Sequence, residues 1–197
     1  MMRSVCLTSL PLLLALGLLL GLPWVFAITT GSGFYGLEVN RSAPRLETAS
    51  GNLLEDDQRA SNVFLGYRGC AAACPAQLMN MQRLRERLEG QGIRFVFVTL
   101  APGRISGQEL ADWMDSWGPD FTAFRPESAR RAQALARAFG GVSGNSRVSD
   151  QQAFNHTANL HVVTPDGIRR LVYSTPALDL DRVVQDLESI VGDFQDG

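Results

Sequence analysis

The 197-residue chain is long enough for one domain plus a short extension, and a segment of that size buries a core without disulfide staples. Its formal net charge of -2 leaves no basic surplus, so a nucleic-acid partner is not expected. Three cysteines are too few for a disulfide scaffold, and every basic side chain is an arginine, a bias with no functional reading.

The first 28 residues settle the compartment. Arg3 is followed by no charge until Glu38. A span of about 20 apolar residues crosses a bilayer, and the stretch from Val5 to Ile28 is that long. The rival is a cleaved signal, with an apolar core from Leu12 to Leu22 and a cleavage site at Val25-Phe26-Ala27. We favour the anchor: residues 1–28 span a bacterial inner membrane once, with the rest of the chain in the periplasm. A cleaved signal would instead leave a soluble periplasmic protein. Cys6 lies inside this segment, which leaves one cysteine pair for chemistry.

Residues 29–43 read as a linker rich in small and polar residues, and the main domain as 44–197. "RLETASGNLLE" suggests a short hairpin around Ser50-Gly51. "NVFLGY", 62–67, and "IRFVFVTL", 93–100, are compact apolar runs that suit buried parallel strands. Between them Leu78, Met81, Leu84 and Leu88 recur at helical spacing, and Gly90 ends the helix. "SGQELADWMDSWG" opens with a capping box, Ser106 with Glu109. "ESARRAQALARAFGG" is a further helix closed by glycines. "ANLHVVTPDGIRRLVYS" is a hairpin around Pro165-Asp166-Gly167. The final helix is expected to start with Thr175 as its cap and Pro176 in its first turn. This order, strand, helix, strand, helices, hairpin and closing helix, predicts an α/β thioredoxin-like domain: a central mixed sheet flanked by helices, behind an N-terminal membrane segment.

The stretch "GYRGCAAACPAQLMNMQRL", 66–84, carries the cysteine pair, Cys70 and Cys74, four residues apart at a strand-to-helix junction. The positive end of a helix dipole favours thiolate there. Thiolate is both a redox nucleophile and a metal ligand, so placement alone does not choose between the two roles. On one helix face, side chains four residues apart stand about 5–6 Å from each other at Cβ, wider than the ~3.8 Å of a disulfide. Two soft thiolates favour Cu(I) or zinc over hard cations. A structural zinc site wants four ligands, and the chain has only two histidines. His156 precedes the first strand of the late hairpin, where a thioredoxin-like fold brings it toward the cysteines. His161 lies inside that strand and reads as a structural residue. Met79 and Met81 are further soft donors near the pair, although Met81 has core spacing. A close cysteine pair in an exported protein can also be only a structural disulfide. Trp113 and Trp117 read as packing residues.

"VFLGYRGCAAACPAQL" and "NHTANLHVVTPDG" together resemble the Sco/SenC proteins: a hydrophobic strand ending in Gly-aromatic, then Cys-x-x-x-Cys-Pro, and later a histidine, an apolar strand and a Pro-Asp-Gly turn. The likeness runs from about Pro44 to Ile190. It implies a thioredoxin-like domain that binds one copper ion through Cys70, Cys74 and His156, with no catalytic residues. It further implies delivery of that ion to the binuclear copper site of a cytochrome c oxidase subunit, or to another envelope cuproprotein. Some members of that family instead look like thiol reductases, so the alternative is a thiol–disulfide oxidoreductase served by a thioredoxin-like reductant. The peroxidase relatives of the fold carry a threonine where this chain has Tyr67. The chain also departs from the Sco/SenC pattern. Asn155 stands where an aspartate usually precedes the histidine, three alanines separate the cysteines, and 101–106 keeps Pro102 and Arg104 without the usual acids.

Overall fold

A computed structural model describes residues 33–55, 59–69, 73–141, 144–146, 153–155 and 158–195, together with Gly17. The chain divides into two compact units, 1–34 and 35–197, and the second carries all the elements below. Among the described residues no helix is long and apolar enough to cross a membrane, and the apolar stretch at the N-terminus lies outside them.

Two strands form the centre of the sheet, β4 (Ala60–Gly66) and β5 (Ile93–Thr99), paired in parallel with Phe64 beside Phe97. Every residue of both is buried, which explains why they are mostly apolar without alternation, with Ser61, Asn62, Arg94 and Thr99 as buried polar exceptions. A parallel pair needs a crossover, and helix α1 (Ala73–Arg87) supplies it. On α1 the side chains of Cys74, Gln77, Leu78, Met81 and Leu84 form one buried stripe at helical spacing, and Gly90 ends the turn that follows with φ 77°.

The sheet extends on both sides. Strand β6 (Phe121–Phe124) adds in parallel to β5. On the other side β9 (Leu160–Val163) pairs antiparallel with β4, β10 (Ile168–Tyr173) with β9, and β1 (Leu37–Ser42) with β10. The resulting order is β1-β10-β9-β4-β5-β6, a mixed sheet. Two short hairpins complete the strands, β2 (Glu47–Thr48) with β3 (Gly51–Asn52), and β7 (Gly144–Ser146) with β8 (Ala153–Asn155).

Strand β1 corrects the sequence reading, which places a linker there. The strand has no apolar alternation to betray it because it is an outer edge. Leu37 is largely exposed, and Asn40 takes φ 48° where the register shifts between Glu38 and Arg41. Strand β6 is also absent from the sequence reading, being only four residues long.

The two faces of the sheet are covered differently. Helix α3 (Ala129–Ala138) and the β2–β3 hairpin close one face, where Leu135, Phe139, Leu46 and Leu54 pack on Val63, Val96 and Val163. Helices α1, α2 (Gly107–Asp115) and α4 (Leu180–Gln195) lie on the other. There Trp113 of α2 meets Phe97 edge-on at 5.1 Å, and Trp117 stands 6.3 Å from Phe121, so both tryptophans pack as expected. The Ser106–Glu109 capping box forms in full. Helix α4 starts later than its sequence suggests. Asp179, not Thr175, receives the free amides of Asp181 and Arg182, and Thr175 closes a small turn by accepting from Ala177 N.

The start of the second unit is held to α4 by Asp186. Its carboxylate accepts from Tyr35 N, Gly36 N and the Tyr173 hydroxyl. A Cβ on Gly36 would come within 2.8 Å of the Tyr173 ring, so only glycine permits this approach.

Candidate metal centre

The C-terminal ends of β4 and β5 point to one pole of the sheet, the place where open α/β sheets bind ligands. From Gly66 the chain turns through Tyr67, Arg68 and Gly69 into α1, with Cys74 and Pro75 in the first turn of the helix. Pro75 has no amide hydrogen to leave unpaired there and already carries a helical φ. Cys74 is 3 % exposed. Its sulfur lies over Gly66, on the face that carries Phe64 and Phe97. A Cβ added to Gly66 would come within 3.0 Å of Sγ and 3.1 Å of each ring. The glycine of the Gly-Tyr pair therefore makes room for the sulfur.

One turn further along α1, Gln77 is fully buried. Its Nε2 donates to the carbonyls of Ala158 and Thr175. Asn80 Nδ2 donates to Gln77 Oε1 and to Pro176 O, each at 2.9 Å. The cysteine helix is thereby tied to the chain entering β9 and to the chain leaving β10. Composition marks neither amide as special. The available signal was their register, since both sit in the stripe otherwise filled by Cys74, Leu78, Met81 and Leu84.

The loop after β5 completes the pole. Residues Pro102–Arg104 form a 3-10 turn. The Arg125 guanidinium grips it by donating to Pro102 O at 2.7 and 3.1 Å and to Ile105 O at 2.8 Å. Ala101 and Ile105 are buried, so both positions at which the resemblance calls for an acid pack as apolar side chains here. Arg125 has no signature in the sequence. At the start of α2 the amide of Ser106 holds the Glu109 carboxyl below the ordinary range.

The second histidine belongs elsewhere. His161 pairs across the strands with Val63, whose side chain lies on the α3 face, opposite Gly66 and Cys74. It is 2 % exposed, its ring lies tilted against Phe139 with centroids 5.0 Å apart, and the Arg169 guanidinium sits over the same Phe139 ring at 5.9 Å. Burial, and next the Arg169 charge, lower its pKa to about 3, so the ring is neutral at physiological pH. Its Nδ1 has no hydrogen-bond partner among the described residues. His161 is buried in the sheet, as expected of a structural residue.

Of the three proposed ligands, Cys74 is described and stands at the pole; Cys70 and His156 lie outside the described residues. Among the described residues no three His, Cys, Asp or Glu side chains come together as a metal cluster. Met81 is fully buried in the core, whereas Met79 is 42 % exposed on the outer side of α1. Cys74 offers a soft sulfur donor in the first turn of a helix, where the dipole favours thiolate, seated in the room left by Gly66.

The model of the SCO1/SenC family matches residues 49–192. The protein belongs to the SCO1/SenC family. A Stutzerimonas stutzeri protein, provisionally named a copper-binding protein, is 26 % identical over 133 residues, or 66 % of this chain and 64 % of the relative. The chain thus spans just under two thirds of that curated relative. The solution structure of apo Sco1 from Thermus thermophilus aligns with a TM-score of 0.63 and 25 % identity, covering 79 % of this chain and 96 % of that one. Arabidopsis thaliana ScoI, solved with copper bound, aligns with a TM-score of 0.60 and 16 % identity, covering 79 % and 98 %. The thioredoxin-like fold read from the sequence is the fold of the second unit.

Proposed function

We propose that this SCO1/SenC protein is a copper metallochaperone. It takes one copper ion on Cys70, Cys74 and His156 and passes it to the binuclear copper site of a cytochrome c oxidase subunit or to another envelope cuproprotein. The observation that carries this reading is the Cys74 thiol in the first turn of α1, seated over Gly66 at the pole of the sheet. The copper found in an Arabidopsis relative and the name of the Stutzerimonas relative support the choice of ion. Cys70 would supply the second thiolate and His156 the imidazole. The ligands must shed protons to bind, so uptake weakens in acid. Residues 1–28 would hold the domain at the outer side of the inner membrane, with Arg3 inside.

The test is copper uptake by the reduced full-length protein. One equivalent is expected, and Cys70→Ser or Cys74→Ser should abolish tight binding. The thiol–disulfide oxidoreductase reading expects the reverse pattern: no stoichiometric copper, His156→Ala silent, and loss of partner reduction with either cysteine variant. Fractionation followed by mass analysis tests the anchor; a mature chain starting near Ile28 and free in the periplasm would sink it.

A further inference from the structure

We propose that Arg41 and Arg169 form an oxyanion site at the edge of the sheet, suited to a dianion such as phosphate. The proposal stands apart from the copper reading and uses none of its ligands. The two arginines are Cα partners across β1 and β10, so their side chains leave the sheet on one side. Like charges placed directly opposite each other repel and destabilise such a pair. An irregularity in β1 creates the pairing. Leu37 and Glu38 oppose Val172 and Leu171, and continuing that register would set Asn40 against Arg169. The register shifts before Arg41, with Asn40 at φ 48°, and Arg41 takes that place instead.

The charge of the pair is not met among the described residues. Arg169 is only 8 % exposed. Its guanidinium sits over the Phe139 ring at 5.9 Å and donates from Nη1 to Ala138 O at 3.3 Å, at the C-terminal end of α3. An aromatic face and a helix end hold the cation in place, but neither carries a full negative charge. Its Nε has no partner among the described residues, and no carboxylate among them lies in salt-bridge range of Arg169 or Arg41. Glu38, the acid of β1, takes a hydrogen bond from Asn40 Nδ2 instead. Burial, and next the Arg41 charge, lower the Arg169 pKa from its usual value.

Taking a guanidinium out of water is costly unless a counter-charge is supplied. Arg41 is exposed, so an anion from solvent can reach the pair from its side. A guanidinium presents parallel N–H donors that match the oxygens of a phosphate, and one dianion balances both charges.

The test is thermal unfolding of the full-length protein at pH 7, with chloride replaced by inorganic phosphate at constant ionic strength. The melting temperature of the parent should rise and level off, by about 3–6 °C at ten times the dissociation constant. Acetate, with one charge, should raise it less. Arg41→Ala should lose the saturable rise and keep only the steady increase that phosphate gives by exclusion from protein surfaces. Arg41→Glu would set a carboxylate opposite Arg169; it should melt above the parent in chloride and show no saturable rise with phosphate. Equal responses to phosphate in the parent and Arg41→Ala would overturn the proposal, as would a parental rise that never levels off or an Arg41→Glu protein that melts below the parent. A rise with acetate as large as that with phosphate would overturn the choice of a dianion.

Discussion

Two buried polar pairs sit on opposite faces of the same sheet, and they are finished to different degrees. Gln77 and Asn80, one turn from Cys74, place their donors on four acceptors. His161 and Arg169, packed around Phe139 under α3, leave His161 Nδ1 and Arg169 Nε without partners among the described residues. Asn62 lies on the Gln77 face but further back along β4 from Gly66, and its amide has no partner among the described residues. Elsewhere buried polar groups also find partners, as where Arg94 Nε donates to Ser61 Oγ and the Thr164 hydroxyl donates to Ile168 O at the far end of the strands. At the pole the Gln77 and Asn80 amides tie α1 to the chain entering β9 and to the chain leaving β10.

The strongest way to break this comparison is acid. His161 binds its proton only near pH 3 in the folded state, but from about pH 6.5 downward once unfolded. The stability it contributes is complete above pH 6.5 and is lost as pH falls toward 3, by up to ~1.4 kcal/mol for each pH unit. Denaturant unfolding across this window should show the slope, and His161→Leu should flatten it. The same variant should leave copper uptake at pH 7 unchanged, because His161 faces away from Cys74. A copper defect in a folded His161→Leu protein would erase the division between the two regions.

A smaller effect is expected at Gly66. An alanine there would put Cβ 3.0 Å from Cys74 Sγ and 3.1 Å from the Phe64 and Phe97 rings. Overpacking of this kind costs about 1–3 kcal/mol, visible as a lower melting temperature, and should weaken copper binding as well because the sulfur must move. Matching losses in stability without any copper defect would show that the sulfur's seat is not critical.

The smallest effect should come from Ser106→Ala, which removes a cap accepting from Glu109 N at 3.1 Å. A loss of about 1 kcal/mol is expected. Copper affinity should hold, because the cap serves the start of α2 and not the cysteine helix.

Elements with strong local signals were legible in the sequence. The apolar runs of β4 and β5, the Leu78-Met81-Leu84 periodicity, the Ser106 box and the Pro165-Asp166-Gly167 turn each carry their own physical cause, and each forms. What escaped was set by distant partners. Strand β1 is a strand only because β10 offers an edge, and α4 starts at Asp179, whose carboxylate takes the free amides of Asp181 and Arg182, while Thr175 and Pro176 give their carbonyls to Gln77 and Asn80. At the site, the cysteine spacing was visible but the seat over Gly66 was not, since it needs two elements in place. Gln77 looked like any surface glutamine until Ala158 stood opposite, and Arg125 gave no local sign at all.

The central claim is that Cys74 and its partners form a copper site whose histidine matters chiefly for Cu(II). The most direct measurement is a competition titration of the reduced full-length protein against chelators of known affinity, run with Cu(I) and with Cu(II), for the parent, Cys74→Ser and His156→Ala. The proposal predicts one equivalent of tightly held copper in the parent and none in Cys74→Ser. For His156→Ala it predicts a large loss for Cu(II) and a small one for Cu(I). Parental Cu(II) binding by His156→Ala, or no stoichiometric copper in the parent, would contradict it.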